Sequence, residues 1–367
     1  MKALVIGGGI IGLSLADELA RRGIPVTLLE RSSGPGREAS GAAAGILAPQ
    51  SEAQGPGPFL DLLLAGAQMI PEAVARLEAL TGMDLEHRAS GMLTVSFSDA
   101  EQEKLETACR WQEAAGLTLQ PVEASEIRKM EPAVNDQVRG GIYWAQSAQL
   151  DPRKFVAAYE QAARAAGVEI RFGAEVKRVL VNGRRAVGVE TSSGRMESDW
   201  VIQCGGPWVS KEIGLPFSVP VLPARGQMLQ FATRGPLFNR VVKSSRAYVV
   251  QRNEETLIAG TTLEYVGFDS QVTEEGGRAI LEGVREISAS AGSLKAQSSW
   301  AGLRPDTPDH LPILGPTPLE GFLVAAGHFR NGILLAPLTG RLMADCILGV
   351  RSSTDLAPFR LSRFMVG

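Results

Sequence analysis

The sequence predicts an α/β (α+β) fold in two intertwined domains. Three observations carry this reading. Residues 2–30 run strand, glycine loop, helix, strand; the α/β pattern returns near the C-terminus; and the middle is rich in short strands split by Gly and Asn-Gly turns. At roughly 150 residues per domain the chain is long enough for about two, with cores large enough to need no disulfide. Glycine, at 41 of 367 residues, exceeds its usual share of about 7% without a collagen-like period, so the excess serves turns and close backbone approaches.

Each element has a local reason. Residues 2–6 form a short apolar run ending at Gly7. Ile11, Leu15 and Leu19 then recur every fourth position with Ala16 and Ala20 beside them, the spacing of one helix face. Arg21-Arg22-Gly23 puts cations and a glycine where that helix ends, and residues 26–30 read as the second strand. Residues 32–58, rich in Gly, Pro, Ser and Ala, read as a long functional loop. Helices are expected at 59–80, interrupted near Pro71, at 99–116, at 125–130 and at 152–166, the last with Pro152 near its start. Short strands are expected at 169–172, 176–181, 186–191 and 199–203, then at 219–232, 247–252 and 256–261. A helix at 277–290, a buried strand at 322–326 and a helix at 333–348 close the chain. Arg304, before Pro305, reads as a loop residue.

Composition removes several function classes. Lys+Arg 37 against Asp+Glu 40 leaves a net charge of −3 with no basic stripe, so no nucleic-acid partner is expected. No apolar run reaches the ~18 residues of a membrane span. Asp17 and Glu18 interrupt the N-terminal apolar stretch before any cleavage-like site, so no leader is expected and the default address is cytoplasmic. Three scattered cysteines, Cys109, Cys204 and Cys346, fit a reducing compartment, and His87, His310 and His328 form no ligand spacing, so no metal is expected.

The strongest chemical signal is Gly7-Gly8-Gly9-Ile10-Ile11-Gly12, a GxGxxG turn between a strand and a helix. Gly7 makes the tight turn, Gly9 lets a pyrophosphate reach the backbone, and Gly12 lets helix and strand pack closely. The helix start offers free N–H groups and a positive dipole end to the diphosphate. Glu30, at the end of the next strand, can accept hydrogen bonds from a ribose and repels the 2′-phosphate of NADP. A Rossmann-like dinucleotide domain follows; FAD and NAD both fit this loop.

Four segments resemble the FAD-dependent D-amino-acid oxidase family: the fingerprint, Ala39-Ser40-Gly41-Ala42-Ala43-Ala44-Gly45, the 199–206 strand, and Gly327-His328-Phe329-Arg330-Asn331-Gly332-Ile333-Leu334. The resemblance covers nearly the whole chain. Trp300-Ala301-Gly302-Leu303-Arg304-Pro305 together with 327–337 looks most like its glycine-oxidising branch, tied to thiamine synthesis. The resemblance implies noncovalent FAD, because no cysteine stands near 300–309, where related sarcosine oxidases attach flavin. It implies that Ile10, Ile11, Glu30 and Arg31 meet the ADP half, and that Ala39, Ser40, Ala44, Gly45 and Ile46 line the middle of the cofactor and the flavin. Val176 touches the adenine, and His328, Phe329, Arg330, Asn331, Gly332, Ile333 and Leu334 run past the isoalloxazine. Arg304 pairs with a substrate carboxylate, Arg330 supports the same end, and Tyr248 lies over the substrate.

Physical chemistry agrees with these roles. A carboxylate is best gripped by the planar fork of arginine, and a helix start at Gly332 favours negative charge on a reduced flavin. His328 is read as a packing histidine and not a base, and Asp306, Asp309 and His310 as solvated charges on a rigid loop. The expected reaction is oxidation of a small amino acid, glycine first, by molecular oxygen, giving an oxo acid, ammonia and hydrogen peroxide. A sarcosine or D-amino-acid oxidase or dehydrogenase, or a flavin module without turnover, is the alternative. By family analogy a homo-oligomer is expected. The FAD domain is expected to take 1–85, 145–215 and 300–367, and a β-rich substrate domain 86–144 and 216–299.

Overall fold

The computed structural model describes residues 1–211, 213–352 and 354–365. Its first sheet is Rossmann-like. Ala3–Ile6 sits at the centre, flanked by parallel strands Val26–Glu30 and Trp200–Gln203. Glu169–Phe172 extends one side in parallel, and Phe322–Ala326 the other, with Ile313–Pro316 antiparallel at that edge. Strands covered on both faces read as continuous apolar runs, and Phe322–Ala326 is buried throughout.

The helices behind this sheet pack closely because small residues allow it. Helix Ile10–Arg21 crosses helix Gly332–Leu348 at Ser14 and Gly340, where a Cβ on Gly340 would lie 2.8 Å from Ser14 Oγ. Ser14 Oγ donates to Ala336 O at 2.8 Å. Pro152–Ala165 and Pro58–Thr81 complete the layer, with Phe155, Tyr159, Leu62, Leu63, Ile70, Val74 and Leu77 in the shared core. Pro58–Thr81 is long and apolar enough to cross a membrane by length and composition alone; here it lies against Gly332–Leu348.

A second, eight-stranded sheet runs Ala296–Asp306, Leu222–Ala232, Thr256–Gly260, Tyr248–Asn253, Val241–Lys243, Met92–Ser96, Gly140–Trp144, Gln120–Glu123. Its pairs are antiparallel except Val241–Lys243 with Met92–Ser96. Helix Glu274–Ile287 covers one face, burying Ile280, Val284 and Ile287 against Phe231 and Val249. A small three-stranded antiparallel sheet spans 176–197.

The structure corrects several expectations. Helix Pro58–Thr81 runs through Pro71 unbroken: the proline is exposed, and buried residues on either side of it, Leu62, Leu63, Ile70, Val74 and Leu77, hold both halves to the core. The 32–58 loop contains short helices Ala39–Ala42 and Pro49–Glu52 and the two-residue strand Ile46–Leu47. Arg304 and Pro305 are in a strand, not a loop. Ala296–Asp306 is the sheet edge, where a residue without an N–H loses no ladder bond. The expected domain boundary at 300 falls inside this strand.

Candidate active site

Between the two sheets lies a cavity of about 460 Å³. Its first wall is the glycine turn. Gly7 has φ +106°, and a Cβ there would meet Cys204 O at 2.7 Å. Gly12 does not reach the cavity: a Cβ on it would lie 2.0 Å from Gly7 O, so it serves strand–helix packing. Gly9, Ile10 and Ile11 line the cavity at the start of helix Ile10–Arg21, which has no side-chain cap on Gly9 and no acid in its first turn. Ser40 Oγ accepts from Ile10 N at 3.1 Å and so ties the 39–46 segment to this helix start.

Glu30 lines the cavity at the end of strand Val26–Glu30. Its Oε2 accepts from Gly8 N and its Oε1 from Ser32 N, each at 2.7 Å, so the carboxylate also holds the shape of the turn. Arg31 lies 3.9 Å over the Trp208 ring and pairs with Glu38; Arg31 and Val176 close this end.

The middle wall is Ala39, Ser40, Ala44, Gly45 and Ile46. Gly45 has φ +75°, and a Cβ there would lie 2.0 Å from Leu150 O, a position only glycine fills. Opposite, His328, Phe329, Arg330, Asn331, Gly332 and Ile333 line the cavity. Leu334 points away from it into the helix core. Helix Gly332–Leu348 begins with no side-chain cap on Asn331 and no acid in its first turn. Two helix starts without an acid in their first turn thus face one cavity, each favourable to negative charge.

His328 is 3% exposed and its Nε2 shares a hydrogen bond with Thr339 Oγ1 at 3.0 Å. Burial pushes its imidazole down to about 3. That burial favours the neutral ring, and one ring nitrogen is spent on Thr339.

The third wall belongs to the eight-stranded sheet. Arg304 Nη2 donates to Thr261 Oγ1 at 2.6 Å and Nη1 to Thr262 O at 3.2 Å; no carboxylate pairs with it among the described residues. Burial depresses its pKa, which leaves guanidinium charged. Tyr248 stands beside it, its hydroxyl 3.2 Å from Met228 Sδ, and burial pushes that hydroxyl up. Arg330 is exposed at the mouth, 4.9 Å over the Phe329 ring. Glu52 and Lys243 pair at 3.3 Å on the far side.

The sequence reading missed what makes room for these groups. A Cβ on Gly226 would lie 2.0 Å from Arg304 Nη1, and one on Gly260 2.7 Å from Tyr248 Oη. The available signal was a glycine inside a strand run, which marks close approach. The reading also misjudged Asp306. It is 1% exposed, not solvated, and accepts from Tyr265 Oη at 2.6 Å, Thr307 N at 2.9 Å and His310 Nδ1 at 2.8 Å. As the last residue of its strand it faces inward. The bond to Asp306, then burial, pushes the Tyr265 hydroxyl up to about 12. Asp309 is held by Arg363 at 2.7 Å.

A cavity with one wall suited to a diphosphate and another to an organic acid defines a dinucleotide-dependent oxidoreductase. Comparison with known proteins narrows the class. The sequence profile of the FAD dependent oxidoreductase family matches residues 2–346, and the chain belongs to that family. It is 36% identical to the bifunctional protein ThiO/ThiG of Synechocystis over 99% of this chain and 54% of that protein. The chain therefore spans about half the length of that relative. It is 31% identical to a glycine oxidase of Pseudomonas aeruginosa over 98% of each chain. The structure of glycine oxidase from Geobacillus kaustophilus superposes with a TM-score of 0.95, at 30% identity over 99% of this chain and 98% of that one.

The residues present fit FAD. Gly9 and Ile11 line the cavity at the helix start while Gly8 N and Ile10 N are held by Glu30 and Ser40, Glu30 stands at the strand end, and the second helix start and the 44–46 segment line the same cavity.

Proposed function

We propose that this chain oxidises glycine and other small amino acids, with molecular oxygen as the final acceptor. The observation that carries the reading is Arg304, a guanidinium on the cavity wall paired with no carboxylate among the described residues. Its threonine contacts orient the fork, and a substrate carboxylate supplies the charge partner it lacks. Arg330 adds a second cation at the mouth, and Tyr248 offers a hydroxyl beside Arg304.

Bound FAD supplies a two-electron acceptor that oxygen regenerates with release of hydrogen peroxide. The chain's own residues bind, orient and exclude water. Anchoring the carboxylate fixes the α-carbon of so small a substrate within the cavity. The amine must be neutral when the Cα–H bond breaks, and His328, held neutral and bonded to Thr339, takes no part in moving that proton. The imine product takes up water to give an oxo acid and ammonia. FAD is held noncovalently by Gly7, Gly9, Ile10, Ile11, Glu30, Arg31, Ala39, Ser40, Ala44, Gly45, Ile46, Val176 and 328–333. Gly12 and Leu334 act from behind this wall.

The ThiO/ThiG relatives support a role in supplying an imine for thiamine synthesis. The chain is read as an FAD domain of 1–85, 145–215 and 300–367 and a substrate domain of 86–144 and 216–299, with strand Ala296–Asp306 of the eight-stranded sheet crossing the boundary at 300. A cytoplasmic homo-oligomer with neither a membrane nor a nucleic-acid partner completes the reading. The test is anaerobic mixing of the yellow holoprotein with glycine, N-methylglycine and small D-amino acids. Bleaching by glycine supports the reading; bleaching by another member of the panel alone moves the substrate, and no bleaching by any refutes it.

A further inference from the structure

Arg252 is 3% exposed, on the strand Tyr248–Asn253. Tyr248, Val250 and Arg252 alternate onto the face that meets the dinucleotide side, and Val250 packs with Ala44 and Ala48. The ladder to Thr256–Gly260 is irregular between Gln251 and Asn253, and such bulges re-aim a side chain. The guanidinium leaves its sheet. Nη2 donates to the carbonyl of Ala44, and Nη1 donates to Gln149 Oε1 at 3.4 Å. Gln149 is the strand partner of Ile46, and Leu150 N donates to Gly45 O at 3.0 Å. One buried cation therefore spans the eight-stranded sheet, the cavity-lining 44–46 segment and the strand that pairs with it.

Its environment shows a charge kept at a cost. No carboxylate pairs with Arg252 among the described residues, and its Nε is buried without a hydrogen-bond partner. An unpaired buried charge is expensive, and a neutral side chain could pack there without that penalty.

We infer that Arg252 is a positioning residue of the cofactor site, clamping the Ala44 carbonyl so that the 44–46 segment keeps the shape that receives FAD and setting a fixed positive charge behind it. The inference rests on FAD occupying the cavity and not on glycine as the substrate. A buried cation behind the cavity wall stabilises negative charge added on the other side of that wall, so, with the isoalloxazine against the 44–46 segment, the inference extends to a raised potential of the bound flavin.

The experiment uses the full chain with Arg252→Met and Arg252→Lys, each stripped of flavin and reconstituted. FAD dissociation constants, the thermal midpoint of the apoprotein and the midpoint potential of the bound flavin are measured. Loss of a charged hydrogen bond predicts that Arg252→Met weakens FAD binding about tenfold or more and lowers the flavin potential. Arg252→Lys keeps the charge but not the two-armed clamp, so it retains most of the potential and only part of the affinity. FAD affinity within about twofold of the parent and an unchanged potential in Arg252→Met would overturn the inference, whatever the thermal midpoint does. If Arg252→Met fails to fold, Arg252→Lys decides: parental FAD affinity refutes the clamp and weakened affinity supports it.

Discussion

Gly226 leaves the space that the Arg304 guanidinium fills: a Cβ on Gly226 would sit 2.0 Å from Arg304 Nη1. The two residues lie on neighbouring antiparallel strands, Ala224 opposite Arg304 and Gly226 opposite Gly302. The missing side chain is what lets the guanidinium lie flat on the sheet and reach Thr261 and Thr262.

Gly226→Ala therefore pushes the fork out of its seat without touching the glycine turn. Displacing a desolvated charge partner costs roughly 2–5 kcal/mol, so a rise of about tenfold or more in KM for glycine is expected. The flavin spectrum stays parental. Steady-state kinetics beside the absorbance spectrum check this, and a parental KM would show that the space left by Gly226 does not set the grip of the Arg304 fork.

FAD binding should depend on Gly9 and not on any covalent bond. Cys204 is the cysteine on the cavity wall, and burial pushes its thiol far up, which leaves no reactive thiolate. Acid precipitation should give a colourless pellet and a yellow supernatant. Gly9→Val fills the diphosphate approach next to Ser40 and should yield colourless protein. Yellow colour in the pellet, or a yellow Gly9→Val protein, contradicts the account.

His328 should mark stability, not chemistry. In the unfolded chain its ring titrates near ~6.5, and in the folded protein burial holds it down to about 3. Between those values the unfolded state binds the extra proton, so stability rises with pH through that window. The contribution of the neutral ring is complete above the unfolded value and is lost as pH falls toward the folded one. Urea midpoints near neutrality and in mild acid should therefore converge for His328→Gln more than for the parent. Equal losses in both proteins would remove the buried neutral imidazole.

Legibility followed the range of the physics. The first wall was readable because each glycine of the fingerprint answers a local demand: Gly7 a positive φ and Gly12 a contact at 2.0 Å. Asp306 was misread because its burial depends on Tyr265, far away in sequence. Strand Ala296–Asp306 was missed because Pro305 argues locally for a loop, and only its place at the sheet edge permits a strand. Met92–Ser96 and Gly140–Trp144 were passed over because they pair with each other across a helical excursion. Gly226 and Gly260 showed as glycines in strands, but the groups they make room for, Arg304 and Tyr248, come from other strands.

The most direct measurement is anaerobic titration of parent and Arg304→Ala holoproteins with glycine, read at the flavin absorbance band. The parent should bleach at modest glycine concentrations. Arg304→Ala should keep its flavin and fold but need about thirty-fold or more glycine for half-bleaching, the lower end of losing a desolvated charge pair. Arg304→Lys should recover only part of the loss. An Arg304→Ala protein with intact flavin that bleaches at the parental glycine concentration would contradict the central claim.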